Sequence, residues 1–393
     1  MAAQRYHLDA RVLTAFFVAA MPFVAFGSFI VVNQARTLLR ESVGTSLEQR
    51  AVQTKLALEE HVADLVVHLR LVAMDPEVQR ALARPLPALP DPEARRLEQA
   101  WATGKDRSIN AALLDTPLAA RTRLLTLVRP AVRQIQLVDA NGRLMAASAR
   151  SGRLFNGESA WFKALAAQEG EPEARVGELV RPAGSSVAHF DIVLPVRDRD
   201  GVFVGAARAL IDAGDLYAVL APVRIGRTGH AVLVRATDGL VLASDDTERI
   251  LTRSLPGFAS LQSAVEGFPL GESGQQLFGT TNQRRGYWTI PEVWEPSAEG
   301  KSAMIEPARL VGFSPVDQVP GVRWLATVEQ DLDEALAPVE GVTRYLWIHF
   351  IGVFATVILL ALYFSFKLER PVMEEDLHLH EEHVPTGVKR AAS

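Results

Sequence analysis

The stretch Val12–Met74, VLTAFFVAAMPFVAFGSFIVVNQARTLLRESVGTSLEQRAVQTKLALEEHVADLVVHLRLVAM, decides how the rest of the chain is read. Val12 to Val32 carries no charge over 21 residues. At 1.5 Å per residue that run crosses a hydrocarbon core of roughly 30 Å. Beyond it, apolar or small residues recur at Val43, Leu47, Ala51, Leu58, Val62, Leu65, Leu69 and Val72. Gaps of three, four and seven residues keep them on one helical face. Arg50, Lys55, Glu59, Glu60 and Asp64 fall largely off that face. Asp75-Pro76 ends the run, because proline disfavours helix in the residue before it. The pattern predicts one helix that spans a membrane and then stands about 60 Å out of it. So tall and one-sided a helix needs a surface to lean on.

A second run, Tyr345 to Phe366, lies between Arg344 and Lys367 and contains no Asp, Glu, Lys or Arg. Tyr345 and Trp347 at one end and Tyr363 at the other suit the interfacial belts of a span, and His349 near the outer end can snorkel. The first run is longer than the ~7–15 residues of a signal-peptide core, and Ala25-Phe26-Gly27 is a poor cleavage site, so it reads as an uncleaved anchor. Two spans place both termini on one side. Arg5, Arg11, Lys367 and Arg370 favour the cytoplasm for them, which leaves residues 34–344 outside. The expected location is therefore the plasma membrane, with the lipid bilayer as one partner. A net charge of −5 gives no basic footprint and excludes nucleic acid as a natural partner. With no cysteine in the 393 residues, disulfides, thiolate metal sites and cysteine nucleophiles are excluded.

The intervening segment alternates strand and helix signals. After the Pro/Ala-rich stretch Pro85–Glu93, a polar helical region runs to about Arg133. Gln134–Ser148 reads as a hairpin turning at Asn141-Gly142. Ser159–Ala167 is a short helix carrying Trp161 and Phe162. Strands follow at Ala188–Arg197 and Val202–Ile211, then a helix at Asp212–Leu220. The pattern then returns: a hairpin at Gly229–Ser244 turning at Asp238-Gly239, strands at Arg309–Val316 and Val322–Gln330, and a helix from Asp331 that runs into the second span. Two strand-rich modules in tandem on a long helix make an α+β fold.

These residues resemble the double Cache (dCache) sensor domain of bacterial chemoreceptors, sensor kinases and cyclic-dinucleotide enzymes. The resemblance rests on Gln134-Ile-Gln-Leu-Val-Asp-Ala-Asn-Gly, Ala160-Trp-Phe-Lys-Ala-Leu, Ile192-Val-Leu-Pro-Val-Arg-Asp-Arg-Asp-Gly with Gly205 after it, Ile225-Gly-Arg-Thr-Gly-His-Ala-Val-Leu-Val, Leu310-Val-Gly-Phe-Ser-Pro-Val and Trp324-Leu-Ala-Thr-Val-Glu-Gln. It covers roughly residues 34–343 and implies two PAS-like (Cache) modules on a long N-terminal helix, flanked by two transmembrane helices. The expected layout is an N-terminus at 1–11, a span at 12–33, a stalk helix at 34–74, a membrane-distal module at 75–222, a membrane-proximal module at 223–343, a span at 345–366 and a cytoplasmic tail at 367–393.

Alternation along the strands puts Gln134 and Gln136, His189 and Asp191, and Arg208 out of phase with Ile135, Leu137, Phe190, Ile192 and Ile211. A polar sheet face can simply be solvated. The resemblance implies instead that such a face lines a ligand pocket, and on that basis Gln136, Trp161, His189, Asp191 and Arg208 are the candidate ligand-binding residues, with Trp161 as a cap or a core residue. The family's amino-acid-sensing pattern is incomplete, because Ser159, Phe162 and Leu210 stand where it has Arg, Tyr and Asp. Losing both charges removes the clamps for an α-amino acid, while Arg208 admits an anion. No cofactor, metal site or catalytic motif is expected. His378, His380 and His383 read as part of a charged tail. The leading functional reading is a membrane-anchored small-molecule sensor, a homodimer through its stalk, that signals through a separate cytoplasmic protein. The alternative is a tethered binding or scaffolding protein that transmits nothing.

Overall fold

The computed structural model describes residues 10–84, 89–150, 152–167, 173–182, 187–259, 261–262, 285–296 and 302–368. The chain divides into two compact units: one takes residues up to Leu39 and from Leu336 onward, the other Arg40–Ala335. Most of the expected N-terminus and of the tail, including its three histidines, lies outside the described residues.

The first unit is helical. It holds the beginning of α1 (Ala10–Ala73) and most of α8 (Leu332–Leu368). Among the described residues these two helices are long and apolar enough to cross a membrane. Their large apolar side chains point outward: Phe23, Phe26, Phe29, Ile351 and Leu359 are all exposed. That is the wrong arrangement for water and the right one for hydrocarbon.

The second unit begins with the rest of α1. A short α2 (Pro76–Leu82) follows, capped by the Asp75 side chain, which accepts the Glu77 N–H at 2.8 Å. The polar helical region resolves into α3 (Asp91–Thr103), α4 (Arg107–Leu114) and α5 (Pro117–Val128). Next come β1 (Val132–Asp139), β2 (Leu144–Ala147), α6 (Ala160–Ala166), β3 (Arg175–Val176), β4 (His189–Arg197), β5 (Phe203–Asp212) and α7 (Gly214–Leu220). The last part contains β6 (Arg224–Ile225), β7 (Gly229–Arg235), β8 (Val241–Ala243), β9 (Gly286–Ile290), β10 (Val293–Pro296), β11 (Ser302–Glu306), β12 (Arg309–Val316) and β13 (Trp324–Asp331), which leads straight into α8.

The first sheet has the order β2-β1-β5-β4-β3, and the second runs β6-β7-β13-β12-β9 with β8 beside β7. Every pairing in them is antiparallel. The α+β class expected from the sequence is present. Both hairpins turn where the Gly signals lie: Gly142 at φ +76° and Gly239 at φ +71° take the left-handed conformation that a side chain would resist. The strands β9, β10 and β11 are not among the elements expected from the sequence. They hold Tyr287, Trp288, Thr289, Ile290, Val293 and Trp294, a β-branched and aromatic content that carries strand propensity.

Leu47, Ala51, Leu58, Val62, Leu65 and Leu69 are buried, so the helical stripe is the face α1 turns to the sheets. They share one core cluster with Ile135, Leu137, Phe190, Ile192, Ala207, Ala209 and Ile211 of the first sheet and with Leu233, Leu310, Ala326 and Val328 of the second. One expectation fails here. Lys55 and Glu59 do not lie off the buried face but are 7% and 6% exposed. The turn between β12 and β13 reaches them: Lys55 Nζ lies 2.6 Å from Asp317, and Glu59 accepts the Asp317 and Gln318 N–H groups.

Candidate functional site

Sheet register decides which side chains can meet on the face of the first sheet turned away from α1. Gln136 pairs with Arg208, and Gln134 with Leu210. On the other side of β5, Arg208 pairs with Val193, Leu210 with Asp191 and Asp212 with His189. Antiparallel partners share a face, so Gln134, Gln136, His189, Asp191, Arg208 and Leu210 project together. Their neighbours Ile135, Phe190, Ile192, Ala207, Ala209 and Ile211 project the other way, into the core. Farther along the same outer face, Val138, Val193 and Ala206 pack with Trp101, Phe162 and Leu165 in a separate apolar cluster. The face is thus half polar and half apolar, and α6 sits over the junction.

A cavity of about 240 Å³ opens over the polar half, lined by Gln134, Gln136, Gly152, Pro182, His189, Arg208 and Leu210. That is below the roughly 300–1,000 Å³ of pockets for drug-sized molecules. Three of the five sequence candidates, Gln136, His189 and Arg208, are in its wall. The other two stand behind Arg208. Its Nε donates to Asp191 Oδ2 at 2.7 Å, and its guanidinium carbon lies 5.1 Å from the centre of the Trp161 ring. The carboxylate and the aromatic face fix the guanidinium in one orientation. Trp161 is therefore a support for Arg208; it is half-buried on α6 and meets Phe162 edge-on.

The Asp191 partnership changes the charge of the site. Arg208 alone would attract an anion, whereas the pair presents no net charge and a guanidinium with donors to spare. His189 adds none: burial, with Arg208 nearby, holds its pKa below the ordinary value against the opposing pull of Asp191 and Asp212. Gln134 donates from Nε2 to the Ala149 carbonyl. The two glutamines, the neutral imidazole and the guanidinium form a hydrogen-bonding wall, and Leu210 is its apolar patch. The arrangement suits capture of a small polar molecule, and among the described residues it contains no activated nucleophile or acid–base pair. Among the described residues no group of His, Asp and Glu is arranged to hold a metal.

Gly152 and Pro182 were not among the sequence candidates. They sit in loops, where no periodicity marks them. Leu210 was legible only as the apolar residue at a position the family fills with Asp. Gly177, beside β3, abuts the charged pair: its N–H donates to the Asp191 carbonyl at 2.8 Å, and a Cβ there would lie 1.9 Å from Asp191 Oδ1.

Residues 35–339 match the family described as Cache domain. Comparison with curated proteins gives no match. Among solved structures, the chain is similar to the ligand-binding domain of the Pseudomonas aeruginosa amino-acid chemoreceptor PctC in complex with GABA, at 18% identity over 74% of this chain and 100% of that one, with a TM-score of 0.44. It is likewise similar to that of P. aeruginosa PctB with L-Arg, at 16% identity over 76% and 98% with a TM-score of 0.43. A third is that of the Pseudomonas fluorescens chemoreceptor CtaA with L-serine, at 14% identity over 75% and 99% with a TM-score of 0.42.

Proposed function

The chain belongs to the Cache domain family, and from that premise we propose that it is a membrane-anchored sensor of a small polar molecule. In this reading α1 and α8 anchor it in the plasma membrane as a two-pass protein. Residues 34–344 lie outside the cytoplasm, with the module of residues 75–222 distal to the membrane and that of 223–343 proximal. A separate cytoplasmic protein reads its state. The observation that carries the proposal is the Arg208–Asp191 pair, held on Trp161 at the edge of a small cavity on the sheet face remote from α1. A solvated sheet face has no need of an oriented guanidinium set among amides and an imidazole. Ligands of the proteins it resembles, GABA, L-Arg and L-serine, are of the right size class and join the screen as probes.

The test is a thermal-shift screen of amino acids, small carboxylates, amides and polyols on the full chain in detergent, repeated with Arg208→Ala. A ligand at a hundred times its dissociation constant stabilises by about 2.7 kcal/mol. The reading expects a hit that Arg208→Ala abolishes. A hit that Arg208→Ala binds as well as the parent would place the ligand elsewhere. Protease added to spheroplasts checks the topology: it should cut between residues 34 and 344 and spare an epitope at the C-terminus.

A further inference from the structure

The second sheet carries, on its own outer face, a cluster that the ligand cavity does not use. β7 and β13 pair so that His230 stands directly opposite Glu329, and β6 sets Arg224 opposite His230 on the other side. Glu329 is only 1% exposed, although it is a carboxylate in the middle of a sheet. Arg309 Nη1 approaches it to 2.9 Å from β12, and Arg249 Nη1 to 3.8 Å from beyond β8. Asp245 faces His230 from the end of β8 at 3.6 Å and is itself bonded by Arg224 at 2.9 Å. Glu306 and Asp331 attend the outer side of Arg309 at 3.6 and 3.7 Å. These are the charged groups around His230 among the described residues.

Both ring nitrogens of His230 lie beside acceptors, Nδ1 in a hydrogen bond and Nε2 in an ion pair. Nδ1 lies 2.8 Å from the Thr228 carbonyl oxygen, and Nε2 lies 3.0 Å from Oε1 of Glu329. Neither partner has a hydrogen to give while Glu329 is ionised. Burial pushes the Glu329 carboxyl up, but the His230 bond and the Arg309 charge pull it below its ordinary range, so it stays ionised. A neutral imidazole has one N–H and one lone pair and can serve only one of the two acceptors. Only the imidazolium satisfies both.

The acceptor on Nδ1 also belongs to the grip on α8. The Thr228 N–H and hydroxyl donate to Oε2 of Glu334 at 2.9 and 2.5 Å, and the Arg227 N–H donates to its Oε1 at 2.6 Å. The Thr228 hydroxyl in turn accepts the Asp331 N–H at 3.1 Å. Glu334 is in the first turn of α8, so one short segment, Arg227-Thr228, joins the protonated ring to the start of that helix.

We propose that His230 is a proton-binding site through which the pH of the surrounding solution controls how firmly the β6–β7 turn holds the first turn of α8. Loss of the proton leaves either the Thr228 carbonyl without its donor or the buried Glu329 carboxylate with Arg309 but without the imidazolium charge, and the turn loosens. The Glu329 bond raises the His230 pKa above its ordinary 6.5 against the effect of burial. The hold is therefore complete below pH 6.5 and is lost as pH rises through the folded-state value. This site is separate from the cavity on the first sheet and stands whether or not a ligand binds there.

Hydrogen exchange of the full chain in nanodiscs, followed at pH 6, 7, 8 and 9 and corrected for intrinsic rates, tests it. In the parent, peptides covering 224–232 and 326–336 should lose protection with rising pH, roughly tenfold for each unit by which the fold raises the pKa. His230→Gln, which cannot titrate, should show a flat profile. Asp245→Asn, at the rim of the cluster, should keep the fold and move the transition to lower pH, and it serves if His230→Gln does not fold. Equal pH profiles for the parent and His230→Gln, or an unmoved transition in Asp245→Asn, would overturn the proposal.

Discussion

Oε1 of Glu59 on α1 accepts the Gln318 N–H at 2.9 Å and the Asp317 N–H at 3.0 Å, so one buried carboxylate ties the long helix to the turn between β12 and β13. Lys55, one helical turn earlier, reaches the Asp317 carboxylate at 2.6 Å and lies 3.7 Å from Glu59. The helix is thus fixed to the second sheet by charge and hydrogen bonds as well as by its apolar stripe. Glu59→Ala leaves two N–H groups without an acceptor and should cost about 1–3 kcal/mol. Glu59→Gln keeps an acceptor and should cost less. Urea unfolding of the full chain measures both. An alanine variant as stable as the parent would mean that the turn finds other acceptors and the tie is incidental.

The same turn meets the first sheet, where the Val176 N–H donates to the Pro320 carbonyl at 2.8 Å. Gly177 follows Val176 and has no room for a Cβ beside Asp191. Gly177→Ala should therefore push the Asp191 carboxylate off Arg208 while leaving the strands intact. Asp191→Asn removes the same charge without crowding. In both variants Arg208 loses its counter-charge, so binding of small carboxylates should strengthen relative to neutral molecules by a few-fold, the scale of about 1 kcal/mol for a partly exposed ion pair. Titration calorimetry with one carboxylate and its amide gives the ratio. An unchanged ratio would mean that Asp191 does not set the charge of the cavity.

His189 gives the acid counterpart of the His230 effect. Burial, together with nearby Arg208, depresses its pKa below 6.5, so the fold favours the neutral ring. That contribution is present above pH 6.5 and is lost as pH falls through the folded-state value. Thermal midpoints measured from pH 7 down to 5 should therefore fall in the parent and fall less in His189→Gln. Parallel curves for the two proteins would remove His189 from the account.

Much of this was legible because it is periodic. The α1 stripe, the two Gly-marked hairpins and the in-and-out alternation of β1, β4 and β5 follow from spacings of 3.6 and 2 residues. Partnerships between distant segments were not. Lys55 and Glu59 read as solvated charges until the β12–β13 turn, more than 250 residues away, is seen to reach them. Asp191 and Arg208 both stood out as polar residues on one face, but a register between strands decides whether they meet each other or a ligand. Glu329 looked like an ordinary position in Thr-Val-Glu-Gln, since nothing local shows that it is buried opposite His230.

Burial rules the apolar stripe of α1 out as the seam of the expected homodimer. A stalk seam would naturally be sought at Leu47 or Leu58, yet both are fully buried against the chain's own sheets. Beyond the expected span, the large apolar residues left exposed on α1 are Leu38, Leu56, Val67 and Leu71, with Met74 just past its end. Val67, Leu71 and Met74 follow one another at four and three residues and so share a face. On α5, Leu124, Leu127 and Val128 are exposed in the same way. Ion pairs link these segments: Arg121 on α5 bonds Asp75 and Glu77 at the start of α2, and Arg129, just past α5, bonds Asp64 on α1. If two copies share one bilayer, their stalks stand parallel and each residue can face its own counterpart. Single cysteines at Val67, Leu71 and Met74, in a protein with none of its own, should form disulfide-linked dimers under mild oxidation, with a maximum at one of the three. Cysteine at Leu47 should form none. Monomer throughout, or equal yield at Leu47 and Leu71, would rule out this face as the seam.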